Sequence, residues 1–406
     1  MKTISRRGFL RRLAFATDTA HSAIEPHTLV CVFLRGGADT LNMIVPYGDE
    51  KYYEVRPTLA IAKPGKSEKA SLKLNDFYAF HPAMSALLPA FHDGHLGVVQ
   101  GVGSDNLSGS HFEAQDQLEH GESFGTKLGG GWLGRHLHSR PGNMTPLSAV
   151  AIGKSLPEAL RGAPSASALT SVDEVKLNLP RGNTRDVARA LSKLYAADID
   201  VLGTAGKDTL DLLGRIDKLK KIGYKPDGGA SYSDTSFGAS LREVGRLVKA
   251  DVGLEVVCID HDNWDTHFFQ GGAEGQQATN IEDLSNGLGA LYKDLKHQMH
   301  RTTIVVMTEF GRRSYENSSM GTDHGRGFAL MAIGEKVKGG RVIGNWAGLK
   351  EPGLVDDPLA FLGPSGLHVE LDYRSVLTEV VRDLLGNKNT ATVFPGFRPQ
   401  PVGLFA

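Results

Sequence analysis

At 406 residues the chain can form one large α/β domain or two ordinary ones, and 40% apolar content with 49 glycines excludes a low-complexity or fibrous protein. A formal net charge of −1 supplies no basic field, which argues against nucleic acid as a partner. The two cysteines, Cys31 and Cys258, fall inside apolar runs; they read as buried thiols and indicate no disulfide framework.

In chain order, Ser5-Arg6-Arg7-Gly8-Phe9-Leu10-Arg11 resembles a twin-arginine export signal. The apolar piece that follows, Leu13–Ala16, is short, so residues 1–25 are either such a signal or a basic tail that stays attached. The signal implies the twin-arginine machinery as a partner and a periplasmic or exported location; a failed signal implies the cytoplasm. No run reaches the roughly 18 apolar residues of a membrane helix. From residue 26 onward, continuous β-branched runs predict buried strands at Thr28–Leu34, Leu96–Val102, Leu254–Ile259, Thr303–Thr308 and Phe328–Ile333, with a weaker one at Ser148–Ile152. Helical stripes lie between them, at Met84–Phe91, Phe237–Val248, Ile281–Leu295 and Tyr373–Leu384. Alternation of the two predicts an α/β fold over 26–406: a doubly wound, mostly parallel sheet with helices on both faces. The polar stretch 156–229 interrupts the rhythm, with helical patches near Val187–Leu194 and Leu210–Ile222, and reads as a helical insertion.

Open α/β sheets bind ligands at the carboxyl ends of their strands, and acids and imidazoles recur there. Asp39 follows the first strand through Gly36-Gly37; it is either a metal ligand or a helix N-cap. Ser110 in Ser108-Gly109-Ser110-His111 precedes a helical segment. Its hydroxyl is either a nucleophile in the field of a helix N-terminus or an ordinary cap, with Ser108 as the other candidate nucleophile. Asp265 and His267 stand one residue apart after the run Leu254–Ile259, so an extended loop turns both the same way. His261 and Asp262 are placed to orient them. Glu309 closes the run 303–308, and Asp323 and His324 follow in a glycine-bounded loop. Arg312 is suited to gripping phosphate or sulfate through its planar fork, with Arg313 solvated. The metal set read from the sequence is therefore Asp39, Asp265, His267, Glu309, Asp323 and His324. Two tempting motifs fail. Gly129–Gly134 matches a dinucleotide pattern without the strand before it or the acid after it, and no G-x-S-x-G elbow is present.

The blocks FLRGGADTLNMIVPYGD, FHPAMSALLPAFHDGHLGVVQGVG, SGSHFEAQDQLEHG, NWDTH, VVMTEFGRR and GTDHGRG, with the closing VFPGF, together resemble the domain of unknown function 1501 family from about Thr28 to Phe397. The resemblance implies membership of the alkaline phosphatase and sulfatase superfamily, with a dinuclear site for phosphate or sulfate ester hydrolysis. It implies ligand roles for Asp39, Asp265, His267, Glu309 and His324, and places Ser110 where the nucleophile would be. The chain departs from the superfamily where Glu309 replaces a strand-end Asp-His pair. It also lacks the Cys/Ser-x-Pro-x-Arg motif of formylglycine sulfatases. The expected function is a metal-dependent hydrolase of phosphate, or related sulfate or phosphonate, esters, small or polymer-borne. Ser110 attacks, Arg312 stabilises the transition state, and two divalent ions, zinc or manganese before magnesium or calcium, hold the oxygens. The alternative is a non-catalytic exported protein that keeps the fold and binds a partner or an envelope polymer.

Overall fold

The strand Thr28–Leu34 (β1) lies at the centre of the main sheet because its residues alternate between two cores. Val30, Val32 and Leu34 join one apolar cluster, while Leu29 and Phe33 join the other. Such two-sided burial explains why the run is apolar throughout instead of alternating with polar residues. The computed structural model describes residues 27–140, 144–175, 190–193, 195, 201–349 and 366–406. The twin-arginine-like segment lies outside them, as does half of the patch at 187–194.

Eight further strands complete the sheet: Leu96–Gly103 (β2), Ala149–Ile152 (β3), Ser167–Leu169 (β4), Val256–His261 (β5), Thr302–Thr308 (β6), Phe328–Ile333 (β7), Arg341–Ile343 (β8) and Leu371–Asp372 (β9). The order is β8, β2, β7, β6, β1, β5, β3, β4, with β9 also on β2. Every pairing is parallel except those of β7, which runs antiparallel to both β2 and β6. The mostly parallel, doubly wound expectation is therefore met. The insertion differs from the helical expectation in one respect, since Ser167–Leu169 within it adds a parallel strand at the sheet edge.

Helices cover both faces. Ser236–Lys249 (α4) and Gln276–Asp294 (α5) present Leu241, Val244, Ile281, Leu284 and Leu288 to one cluster. His111–His120 (α1), Trp132–Ser139 (α2) and Tyr373–Glu379 (α6) present Leu118, Leu133, Leu137 and Val376 to the other. Val201–Ile222 (α3) lies in the insertion. Cys31 and Cys258 are free thiols in register on neighbouring strands. Among the described residues no helix is long and apolar enough to cross a membrane.

On α2, burial and the charge of Arg140 push the His136 pKa from the ordinary 6.5 down to about 4. A depressed folded pKa means that the neutral imidazole contributes stability in full above pH 6.5, and that this is lost as pH falls towards 4. The loss amounts to about 3 kcal/mol at most. His136→Gln is expected to flatten the fall in Tm between pH 7 and 4.5; an unchanged fall would assign the acid sensitivity elsewhere.

Candidate metal centre

Strand direction places the site. Parallel strands β1, β2, β5 and β6 all end at one rim, and the antiparallel β7 begins there. The loops after β2, β5 and β6 and the loop before β7 therefore meet. On these loops stand His111, Asp265, His267, Glu309, Asp323 and His324.

The side chains form two layers. In the inner layer, Asp265 Oδ1 lies 3.0 Å from His267 Nε2, 3.4 Å from His111 Nε2 and 3.4 Å from His324 Nε2. The Nε2 atoms of His267 and His324 are 2.9 Å apart. In the outer layer each imidazole is held through Nδ1. His111 Nδ1 donates to Glu309 Oε1 at 2.8 Å, His267 Nδ1 to Asp323 Oδ1 at 2.8 Å, and His324 Nδ1 to the Gly109 carbonyl at 2.6 Å. All three partners can only accept, so each ring carries a proton on Nδ1 and turns Nε2 inward. Phe310 lies beneath, its ring centroid 4.9 Å from that of His111 and 4.8 Å from that of His324. Gly37 (φ 64°) is required there, because a Cβ would stand 2.4 Å from the Phe310 ring.

Three lone pairs and a carboxylate oxygen facing one another repel unless a cation lies among them. His111 Nε2 is buried without a hydrogen-bond partner. Donor atoms around a tetrahedral zinc ion, with bonds of about 2.05 Å, stand about 3.3 Å apart; the three spacings to Asp265 Oδ1 and the His267–His324 spacing, 2.9–3.4 Å, are of that size. The residues thus fit a divalent ion. His111, Asp265 and His324 also have donor atoms within 4.8 Å of one another.

Electrostatics prepare the donors. Burial would raise the Asp265 pKa, but Arg312, donating to Oδ1 at 2.6 Å, together with the neighbouring imidazoles brings it down to about 2. Burial opposes ionisation of Glu309 and Asp323 as well. Hydrogen bonds from His111 and Gln115 to the first, and from His267 and Asn317 to the second, overcome it and hold both below the usual carboxylate range. Burial pushes His324 down, which favours the neutral ring a metal needs; for His111 burial is outweighed by the hydrogen bond and charge of Glu309, which push it up.

The six sequence-derived metal residues divide into three groups. Asp265, His267 and His324 meet directly. Glu309 and Asp323 are adjacent but spent on orienting His111 and His267; Glu309 also accepts from Gly36 N, Gln115 Nε2 and Thr308 Oγ1. Asp39 stands apart, paired with Arg56 through Oδ2 at 2.6 Å and Oδ1 at 3.0 Å, while Gln270 Nε2 donates to Oδ2 at 2.7 Å. The two-ion expectation leaned on Asp39 and Glu309, and both carboxylate oxygens of each accept from protein donors, whereas Arg312 holds Asp265 through Oδ1. Another close-set group, Asp116, His120 and Glu122, lies at the far end of α1, where Lys127 pairs with Asp116 and Leu128 N donates to Glu122.

Arg312 also departs from its expected role. Its side chain is fully buried, and it donates to the carbonyls of Gly36, Gly37, Trp264 and Thr322 as well as to Asp265. With its side chain enclosed, this guanidinium ties the rim loops together instead of meeting a substrate anion. His261 accepts from Trp264 Nε1 and does not touch the cluster. Ser110 caps α1 through a long 3.5 Å contact from Glu113 N, beside His111, whereas Ser108 Oγ donates to Asn106 Oδ1 at 2.7 Å. His111 is the functional residue that motif reading passed over. Its signal was position: the first residue of a helix starting at the carboxyl rim shares that rim with the cap before it.

A family model described as "Protein of unknown function (DUF1501)" matches residues 26–358. No curated protein matches the chain in sequence. Structural similarity extends to the C-terminal periplasmic domain of EcEptC from Escherichia coli (11% identity, 94% of this chain, 89% of that one, TM-score 0.38). It extends also to the phosphonate monoester hydrolase of Agrobacterium radiobacter (11%, 93% and 78%, 0.35) and to alkaline phosphatase from the Antarctic bacterium TAB5 (10%, 77% and 92%, 0.29). At these TM-scores the likenesses carry no functional argument.

Proposed function

The chain belongs to the DUF1501 family of proteins of unknown function, and we propose that it is a metal-dependent hydrolase of phosphate, or related sulfate or phosphonate, esters. The observation that carries this reading is the inward-facing set of three Nε2 atoms around Asp265 Oδ1, each ring fixed from behind. Preorganised rings of this kind serve a metal, whereas a purely structural cluster would pair donors with acceptors.

A divalent ion held by His111, Asp265, His267 and His324 would polarise an ester oxygen and acidify a nearby hydroxyl. Its charge, with those of Arg312 and Arg313, outweighs the three carboxylates Asp265, Glu309 and Asp323, so the centre attracts an anionic ester. Arg313 donates to Tyr315 through Nη1 and keeps a buried Nε without a partner, beside Asp323. With Arg312 buried among the rim loops, Arg313 takes over the anchoring of substrate oxygens. Ser110 attacks: its cap bond is long, it precedes a ligand, and the N–H groups at the positive end of the α1 dipole favour negative charge nearby. Export through the twin-arginine pathway remains part of the proposal.

Ser110→Ala is expected to abolish turnover of aryl phosphates, phosphodiesters and sulfates with metal content and Tm unchanged. Full turnover by this variant would remove Ser110 from the mechanism, and an inactive wild type across the panel would favour the binding protein.

A further inference from the structure

Among the described residues eight large apolar side chains are exposed, and five of them stand on the loops that build the metal centre or on the first turn of α1. Leu107 and Phe112 flank Gly109 and His111, Phe268 and Phe269 follow His267, and Met320 precedes Asp323. Exposed apolar residues scattered singly are ordinary, but a group gathered round a polar centre marks a recognition surface.

The backbone adds an independent observation. Four described non-glycine residues have positive φ: Asp251, Asn263, Phe269 (47°) and Met320 (55°). Asparagine and aspartate tolerate the left-handed region, whereas a bulky apolar residue there is strained and needs a reason. Phe269 and Met320 sit on two loops laced together. Phe269 N donates to Ser319 O at 3.0 Å, and Gln270 N to Met320 O at 2.9 Å. At both bends the chain carries an exposed apolar side chain, 70% exposed for Phe269, where glycine would relieve the strain.

We infer that this rim binds the apolar organic group of the substrate: the ester is amphiphilic, its anionic head at the His cluster and its alkyl or aryl tail across Phe268, Phe269 and Met320. The inference rests on the metal-centre reading, which fixes the head. Charge selects this occupant over an anionic membrane. Segments 104–116, 262–274 and 315–324 contain Asp105, Glu113, Asp116, Asp262, Glu274 and Glu316 besides the site acids, and no lysine or arginine; on the rest of the last loop Arg312 is enclosed and Arg313 is turned to Tyr315. Surfaces that dock on anionic lipid carry the opposite charge.

The test uses the metal-loaded full chain and methyl-, butyl- and octylphosphonate as non-hydrolysable probes, with affinity measured by calorimetry and metal content and Tm measured on the same samples. Wild type is expected to bind the octyl probe at least about tenfold more tightly than the methyl one. The variant Phe268→Ser, Phe269→Gly, Met320→Gly is expected to reduce that gradient to about twofold or less, with metal retained and Tm equal or higher. A flat gradient in metal-loaded wild type, or a gradient that survives the substitutions, overturns the apolar rim and leaves the metal reading standing. Absence of both stoichiometric ion and probe binding overturns both readings. Vesicle sedimentation lost in the variant, alongside a flat gradient, would assign the rim to a membrane instead.

Discussion

Elemental analysis of the purified chain is expected to find one divalent ion per molecule, and Asp265→Ala, His324→Ala and His111→Ala each to bring it below about a tenth. Asp265 Oδ1 is the atom shared by all three imidazoles, and the His267–His324 contact at 2.9 Å leaves two lone pairs opposed whenever no cation intervenes. Removing one donor weakens the site at once and also relieves the repulsion that makes the empty site unfavourable, so both effects act against metal retention. The orienting residues should behave differently. Asp323→Asn and Glu309→Gln keep the inner donors and loosen only the ring behind them, for which a loss of about 10–100-fold in affinity is the usual scale. Competition with a graded series of chelators would separate the two classes. Three imidazoles and one carboxylate favour zinc or manganese over calcium or magnesium. A folded wild type that carries no ion and takes none up would end the metal reading.

His111 is the discriminating member of that series. Its ring is bound through Nδ1 to Glu309, and its buried Nε2 makes no hydrogen bond. If His111→Ala kept the ion at wild-type affinity, the centre would reduce to Asp265, His267 and His324, and the orphaned nitrogen would need another purpose.

The sheet was legible because its strands are buried on both faces: the runs at 28–34, 303–308 and 328–333 carry no polar interruption and fall within one residue of the observed strands. Short edge strands such as Ser167–Leu169 carry no such signal, since three residues cannot establish a period. The rim also followed from the sequence, through acids and imidazoles at strand ends. Which of them touch one another did not. Asp39 and Asp265 look equivalent as acids on loops after strands, yet the first gives both oxygens to Arg56, 17 residues away on another element, whereas the second faces three imidazoles as well as Arg312. Arg312 read as an anion grip because its fork suits phosphate. The same fork suits backbone carbonyls, and the glycine turn at 36–37 turns two of those towards it. Partner choice of this kind is settled by three-dimensional packing and leaves no spacing in the chain to read.

Asp39→Ala is expected to destabilise the fold by about 3–5 kcal/mol, the scale for removing one partner of a buried ion pair. Both side chains are fully buried, and the Arg56 guanidinium also donates to Asn42 Oδ1 at 2.7 Å, to Ser314 O at 2.8 Å and to Arg313 O at 2.8 Å. Without Asp39 a buried cation keeps only neutral acceptors, and Gln270 loses its own partner at 2.7 Å. Against a total stability of roughly 5–15 kcal/mol the change is large. The double variant Asp39→Leu, Arg56→Met should recover most of it, because apolar replacements of a whole buried pair are often neutral. Denaturant titration measures both. Metal content gives the opposing outcome: a ligand role for Asp39 predicts ion loss from a chain of nearly normal stability, and an ion-pair role predicts a retained ion in a chain that melts early. Since Arg56 and Gln270 reach from Asp39 to the loops at 313–314 and 270, the double variant should also show whether those loops need the charged pair to hold the rim in place, read as any weakening of metal affinity once stability is restored.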